Sequence, residues 1–104
     1  MSKKEEFPSP LKAAPNVYKL IFENQRVTVF DVLIKPGEKA KMHKHKDHVV
    51  YAIEGGTAQL AFPDGKKEKI QPKTGDTIWM DEQTHETTNL GNKNIHLLVI
   101  EVKK

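Results

Sequence analysis

The stretch HVVYAIEGGTAQLAFPDGKKEKIQ, residues 48–71, decides the fold class. It holds three short segments with β-branched, aromatic and aliphatic residues, and the turn-forming sequences EGG and PDGK separate them. Pro63-Asp64-Gly65 is the strongest hairpin signal in the chain, because proline presets one turn position and glycine accepts a positive φ. The stretch therefore predicts consecutive antiparallel β-strands.

The same pattern continues on both sides of this stretch, from residue 16 onward. Strands are predicted at 17–23, 26–35, 48–54, 57–62, 67–71, 76–80, 85–90 and 94–102. No apolar face at helical spacing runs for ten or more residues. Strands at intervals of about ten residues predict an all-β sandwich or barrel. A chain this short closes its sheet edges best as a small barrel, which can keep a pocket inside.

The first fifteen residues differ from the rest of the chain. They contain Pro8, Pro10 and Pro15 and show no hydrophobic periodicity, which indicates an extended N-terminal arm. With 104 residues in all, the length fits one domain. We therefore expect an arm at 1–15 and a single domain at 16–104.

Composition argues against several classes of function. The net charge is +3, but only Arg26 is an arginine and the lysines are scattered among acids, so we expect no nucleic-acid binding. There is no cysteine, so a bound metal must be held by nitrogen or oxygen. No apolar run approaches the roughly 20 residues of a membrane span, and no secretory signal is recognisable. We expect a cytoplasmic protein without membrane contact.

Three of the five histidines lie within six residues, at His43, His45 and His48. On an extended strand His43 and His45 project from the same face about 7 Å apart, which suits two imidazoles that converge on one ion. A turn at residues 46–47 would bring His48 back toward this pair. Taken alone, the cluster leaves two alternatives open, a metal site and a solvated histidine-rich turn.

The residues around these histidines resemble the first motif of the cupin superfamily, the RmlC-like cupins. That motif has a glycine, five residues, His-x-His, three or four residues, a glutamate, six residues and a glycine. Gly37, His43, His45 and Gly55 match it, and His48 stands where the family has glutamate. A neutral nitrogen in place of an anionic oxygen favours Zn, Cu, Ni or Fe over Mg or Ca.

The second cupin motif is matched by Gly75, His85 and Asn89, although the usual Pro-x-Gly turn is replaced by DEQ at 81–83 and His85 comes one residue early. The resemblance spans about residues 17–102. The chain is also similar to small single-domain cupins of the BauB type, which are linked to β-alanine degradation.

The resemblance implies a double-stranded β-helix, or jelly roll, with a divalent transition metal (Fe, Zn, Ni, Cu or Mn) in the barrel. The implied metal ligands are His43, His45, His48 and His85. It further implies a metal-dependent enzyme that acts on a small molecule in the manner of a dioxygenase, isomerase or lyase. The alternatives are a non-catalytic module that binds metal or a small ligand, and a structural barrel with vestigial histidines. Cupins commonly pair, so we expect a homodimer, in which the arm can cross to the partner.

Other polar residues remain ambiguous from sequence. An acid–base carboxylate could come from Glu54, Asp81, Glu82 or Glu86, and spacing selects none of them. Asn89 either orients a ligand histidine or closes a turn. His96 alternates with apolar residues on the last predicted strand; it either supports or lines the pocket or is an ordinary histidine of the core or a dimer face, and we expect the latter.

Overall fold

A computed structural model describes residues 7–103. Within this range the chain forms nine strands and one helical turn. The elements are α1 (Pro10–Ala13), β1 (Tyr18–Glu23), β2 (Val27–Ile34), β3 (Lys39–His45), β4 (His48–Glu54), β5 (Ala58–Ala61), β6 (Lys67–Ile70), β7 (Thr77–Met80), β8 (Gln83–Asn89) and β9 (Ile95–Val102). The expected all-β class is confirmed.

The strands form two antiparallel sheets. One has the order β1-β2-β9-β4-β7 and the other the order β3-β8-β5-β6. From β2 to β5 successive strands alternate between the two sheets, which is the connectivity of a jelly roll. The alternation places residues close in sequence on facing sheets, so that both sheets contribute side chains to one interior.

Strand β3 is absent from the sequence prediction, which began its next strand at residue 48. Residues 39–45 contain three lysines and no β-branched residue, so local propensity gives no strand signal there. The strand forms because its backbone pairs with β8, where Ala40 lies opposite Thr87 and His43 opposite His85. Tertiary pairing overrides propensity at the strand that carries two of the histidines.

The core lies between the sheets and is built by alternating residues. On β2 the buried side chains are Phe30, Val32 and Ile34, and Val99 and Val50 extend the same side of this sheet on β9 and β4. The opposite side of the five-stranded sheet is only partly buried; we call it the outer face. Its side chains are mostly apolar: Val29, Leu33, Val49, Tyr51, Ile53, Trp79, Leu98 and Ile100.

The described part of the arm, residues 7–15, is not wholly extended as expected. Ser9 caps a helical turn over Pro10–Ala13, because its hydroxyl accepts a hydrogen bond from the Lys12 backbone and proline is tolerated at the first helical position. Before the turn, the Lys44 amide donates to the Pro8 carbonyl at 2.8 Å, and Ala14 is fully buried after it. This part of the arm packs on its own chain. The expectation for residues 1–6 lies outside the described residues.

Candidate metal centre

A β-bulge in β3 turns both of its histidines inward. Ala40 and His43 are three residues apart and would normally face opposite sides of the sheet, yet both are buried. The register shifts between them, so that two residues of β3, Lys41 and Met42, lie opposite one residue of β8. His45 then follows on the same face as His43, because side chains alternate along a strand.

The two remaining histidines reach the same interior from other strands. His85 lies directly opposite His43 in the β3–β8 pairing. His48 is the first residue of β4, and it lies opposite Glu101 of the adjacent β9. A two-residue connection separates β3 from β4, and it moves His48 from one sheet to the other.

All four histidines are buried, but only three form a compact donor set. The exposed fractions of His43, His45, His48 and His85 are 0, 2, 1 and 4%. Ring nitrogens of His43, His45 and His85 lie within 4.8 Å of one another, so these three are positioned to hold a metal ion. His48 stacks on the ring of His45 with the centroids 4.3 Å apart, beside this set.

Two of the four imidazoles have their tautomer fixed by backbone carbonyls. The His43 Nδ1 donates to the Lys41 carbonyl at 2.6 Å, and the His48 Nδ1 donates to the Lys46 carbonyl at 2.6 Å. A carbonyl oxygen can only accept, so Nδ1 carries the proton in both rings. The Nε2 atom of each neutral ring therefore keeps its lone pair.

Side chains fix the other two tautomers. The His45 Nδ1 donates to the Glu101 carboxylate at 2.7 Å. The His85 Nδ1 donates to the Gln83 Oε1 at 2.9 Å, and the Gln83 amide nitrogen is identified by its own bond to the Asp81 carbonyl. Acceptors of this kind behind metal-bound histidines orient the ring and raise its basicity.

The resulting donor set fits a cation. The Nε2 atoms of His43 and His45 lie 3.0 Å apart, and each presents a lone pair, so no proton joins them while both rings are neutral. Nitrogens bound to one ion at about 2.1 Å lie about 3.0 Å apart at a right angle and about 3.4 Å apart at a tetrahedral angle. The Tyr18 hydroxyl, 3.0 Å from the His45 Nε2 and 3.4 Å from the His43 Nε2, has one proton to donate.

Burial keeps the rings neutral. Together with the smaller effect of the neighbouring histidines, it lowers the pKa of His85 to about 3 and the pKa of His45 well below its usual value. Burial also lowers the pKa of His43 and His48. The same desolvation raises the pKa of Glu101 to about 7 and raises the pKa of Tyr18. Neutral imidazole is the form that binds metal.

Tyr18 and Glu101 are the functional residues that the sequence reasoning missed. Glu101 carried a usable signal, since it has the same strand parity as the apolar residues Ile95, Leu97 and Val99 of β9. Tyr18 carried none, because it lies 25 residues from His43 and only the fold brings them together.

The four carboxylates considered from sequence have partners other than the histidines or are exposed. Glu82 pairs with Lys44 and Glu86 pairs with Lys39, each at 3.0 Å. Asp81 accepts a hydrogen bond from the Trp79 indole, and Glu54 is exposed.

Asn89 and His96 have structural partners. Asn89 closes the turn between β8 and β9, because its amide donates to the Ile34 and Lys93 carbonyls and its oxygen accepts from the Gly91 amide. His96 lies on the outer face, where its Nε2 donates to Asp31 at 2.6 Å. Asn89 thus takes the turn-closing role of its two alternatives.

Comparisons with known proteins agree with this architecture. A cupin domain from Bordetella pertussis shares 22% identity and a TM-score of 0.78, with 98% of this chain and 100% of that one covered. An RmlC-like cupin family protein with a double-stranded β-helix fold from Methanocaldococcus jannaschii shares 16% identity at a TM-score of 0.64, covering 83% and 78%. The polyketide cyclase RemF from Streptomyces resistomycificus shares 19% identity at a TM-score of 0.63, covering 100% and 81%. Likeness at such identities shows the fold alone.

No curated protein sequence matches the chain. Among residues 7–103, no helix has the length and apolar character needed to cross a membrane. The cupin domain family model matches residues 30–101, more than half of the chain, and includes all four buried histidines. With the jelly-roll topology and the glycine-framed histidines, this match shows that the chain belongs to the cupin family.

Proposed function

We propose that the protein is a metal-dependent enzyme that binds a divalent transition metal through His43, His45 and His85, with His48 as a fourth ligand. The observation that carries the proposal is the donor set itself. Three Nε2 lone pairs converge in a buried place, and each ring has its Nδ1 proton engaged by an acceptor. Nitrogen-only ligation favours Fe, Zn, Ni or Cu over Mg or Ca.

The residues around the cluster prepare it for chemistry on a bound molecule. When bound, the metal supplies a Lewis acid or, as iron, a centre for dioxygen activation. Glu101 holds the His45 ring in place, and Tyr18 keeps its proton next to the cluster because burial raises its pKa. The phenol therefore offers a hydrogen-bond donor to a ligand at this place. A preorganised donor of this kind stabilises negative charge that develops on a bound substrate.

A catalytic role is favoured over metal storage because a cavity of about 140 Å³ adjoins the histidines, and His45, His48 and His85 lie in its wall. A storage site does not need such space. Oxygen-consumption and product screens on the iron-loaded protein with small-molecule panels test this part. Full metal occupancy with no turnover across the panels would favour a non-catalytic binding module.

The metal site is tested by elemental analysis of purified protein and of the double variant His43→Ala, His85→Ala. We expect stoichiometric metal in the unaltered protein and loss of it in the double variant. His96→Ala is the matched control, because this histidine lies on the outer face away from the cluster. Stoichiometric metal in the double variant would contradict the proposed site.

We further propose that the protein acts as a homodimer paired through the outer face. This face is apolar across β2, β9, β4 and β7, and Trp79 is 54% exposed on it. Asp31 and His96 on this face already bond to each other within the chain. A second copy can therefore cover the face without leaving these two groups unpaired. Light scattering should give a dimer mass, and Trp79→Glu should shift it toward the monomer.

A further inference from the structure

The cavity beside the histidine cluster has a distinct chemistry at each end. At one end it is lined by His45, His48 and His85. The remaining wall comes from both sheets and is largely aliphatic, with Ile34, Val50, Leu60, Leu97 and Val99 among its members. The polar lining thus consists of the clustered histidines and two hydroxyl groups.

The wall holds no charged partner for a ligand. Among the lining residues that the structure describes, none is a lysine, arginine, aspartate or glutamate, and the hydroxyls of Tyr18 and Thr87 are the polar groups besides the histidines. A charge placed against the aliphatic wall would lose its hydration and gain no counter-charge. The part of a ligand that lies away from the metal is therefore uncharged and apolar.

The volume limits the size of that ligand. A cavity of about 150 Å³ with an apolar lining binds benzene, and the present cavity measures about 140 Å³. A ligand of about six or seven non-hydrogen atoms fits it. Access is available beside β7, because Ile78 lines the cavity and is 38% exposed.

A second, larger space does not compete for such a ligand. It measures about 530 Å³, lies by the arm, and is lined by Lys44, Lys46, Glu82 and Glu101 among others. Lys44 and Glu82 pair across it at 3.0 Å, and both are about half exposed. Phe7, Leu11, Leu20 and Phe30 also line this groove, but it is nearly four times larger than the cavity, so a ligand of six or seven non-hydrogen atoms would leave much of its surface in water there.

We propose that the substrate is a small molecule of about six or seven non-hydrogen atoms with one metal-binding head group and an uncharged apolar tail. The tail occupies the aliphatic cavity, and the head group meets the metal at the histidine end. The placement of the head group rests on the proposed function, whereas the apolar cavity does not require the metal. Zwitterions and doubly charged acids of the same size are rejected.

Three probes test this inference on the unaltered protein, with and without Zn²⁺. Benzene reports on the cavity alone, by NMR of the Leu97 and Val99 methyl groups. Butanoate and β-alanine have the same number of non-hydrogen atoms and differ in a terminal methyl against an ammonium group. Calorimetry on the Zn²⁺-loaded protein compares their affinities, where we expect butanoate to bind at least about tenfold more tightly.

The expected result is that benzene shifts both methyl resonances in the metal-free and the Zn²⁺-loaded protein. Absence of benzene shifts at the cavity, or equal affinity for β-alanine and butanoate, would overturn the inference. If Zn²⁺ does not bind but benzene still shifts the methyls, the proposed function fails and the apolar cavity stands. If Zn²⁺ binds but butanoate binds no better than to the metal-free protein, the placement of the head group fails.

Two variants of β9 test whether benzene binds in the cavity. Leu97→Phe fills the cavity, and we expect it to weaken benzene binding at least about tenfold while Zn²⁺ binding is kept. Leu98→Phe is the matched control, because the neighbouring side chain lies on the outer face. Equal loss in both variants would contradict the assignment. If Leu97→Phe does not fold, the methyl shifts of the unaltered protein decide the location.

Discussion

Strand β9 contributes to two histidine–carboxylate pairs, one on each side of the sheet. On the inner side Glu101 accepts from His45 at 2.7 Å, and the two side chains are 7 and 2% exposed. On the outer side His96 donates to Asp31 at 2.6 Å, and the two are 29 and 34% exposed. The contact distances are nearly the same. What differs is the rest of the environment, because the second nitrogen of His45 faces another imidazole and a phenol.

The comparison shows that a short histidine–carboxylate contact does not by itself indicate a functional site. The inner pair is part of a converging set of buried donors, whereas the outer pair is a cross-strand contact on a sheet surface. Their different roles can be tested by making equivalent substitutions in the two pairs.

The largest expected effect is on metal binding when His45 and His96, the histidines of the two pairs, are each replaced by alanine. His45→Ala deletes one of three converging nitrogens, and we expect metal affinity to fall by about a hundredfold or more. His96→Ala should leave it unchanged. Competition titration with a chromophoric chelator measures both, and equal affinities for the two variants would contradict the assignment of His45.

Substitution of the two carboxylates should separate the two pairs by a smaller difference in metal affinity, because a carboxylate affects the metal only through its histidine. Glu101→Gln keeps the size of the side chain but weakens the acceptor behind His45, and we expect a loss of about tenfold to a hundredfold in metal affinity. Asp31→Asn is the equivalent change on the outer face and should have no effect. The same chelator titration measures the metal affinity of both variants, and circular dichroism confirms that both are folded.

His48 distinguishes a four-nitrogen site from a three-nitrogen site. His48→Ala leaves the compact set of His43, His45 and His85 in place, so we expect a loss of only about tenfold in metal affinity if His48 is the fourth ligand. Val49→Ala, the adjacent outer-face change, serves as the control. Unchanged affinity in His48→Ala would mean that three histidines hold the metal.

The smallest effect concerns the stability of the metal-free protein as pH falls. The pKa of His85 is about 3 in the folded chain and near 6.5 when unfolded, so the unfolded chain binds more protons between these values and stability falls with falling pH. The other three buried histidines act in the same direction. Glu101, with its pKa raised to about 7, acts in the opposite direction between pH 4.5 and 7 and offsets part of this loss.

Four histidines outweigh one carboxyl group, so we expect the melting temperature of the metal-free protein to fall by at least about 5 °C between pH 7 and pH 5. Differential scanning calorimetry measures this slope. His85→Asn should reduce it, because this variant removes one of the groups whose pKa is lowered on folding. A melting temperature that rises toward pH 5 would show that Glu101 dominates.

Much of the fold followed from local patterns. Apolar alternation and turn residues predicted eight of the nine strands. The two glycines that frame the first motif are each needed for a physical reason. Gly37 has a φ of +77°, and a Cβ on Gly55 would lie 2.2 Å from the Pro72 carbonyl oxygen. Strand β3 could not be predicted in this way, because its lysine-rich sequence has no strand propensity and it forms only by pairing with β8.

The histidines could be predicted because their spacing is local. Their supporting residues could not, because Tyr18 and Glu101 reach His45 from strands far away in the sequence. The same holds for the division between His45, in the compact set, and His48, stacked beside it, which depends on the turn between two sheets.

The bulge at Lys41 and Met42 also has a consequence for how this site tolerates change. It adds one residue between Ala40 and His43, which lie opposite Thr87 and His85, two inward-facing residues of β8. Deleting Lys41 or Met42 would leave Ala40 and His43 two positions apart, the spacing at which both face inward in a regular ladder. The bulge is therefore a place where this strand can lose one residue while its histidines keep their side of the sheet.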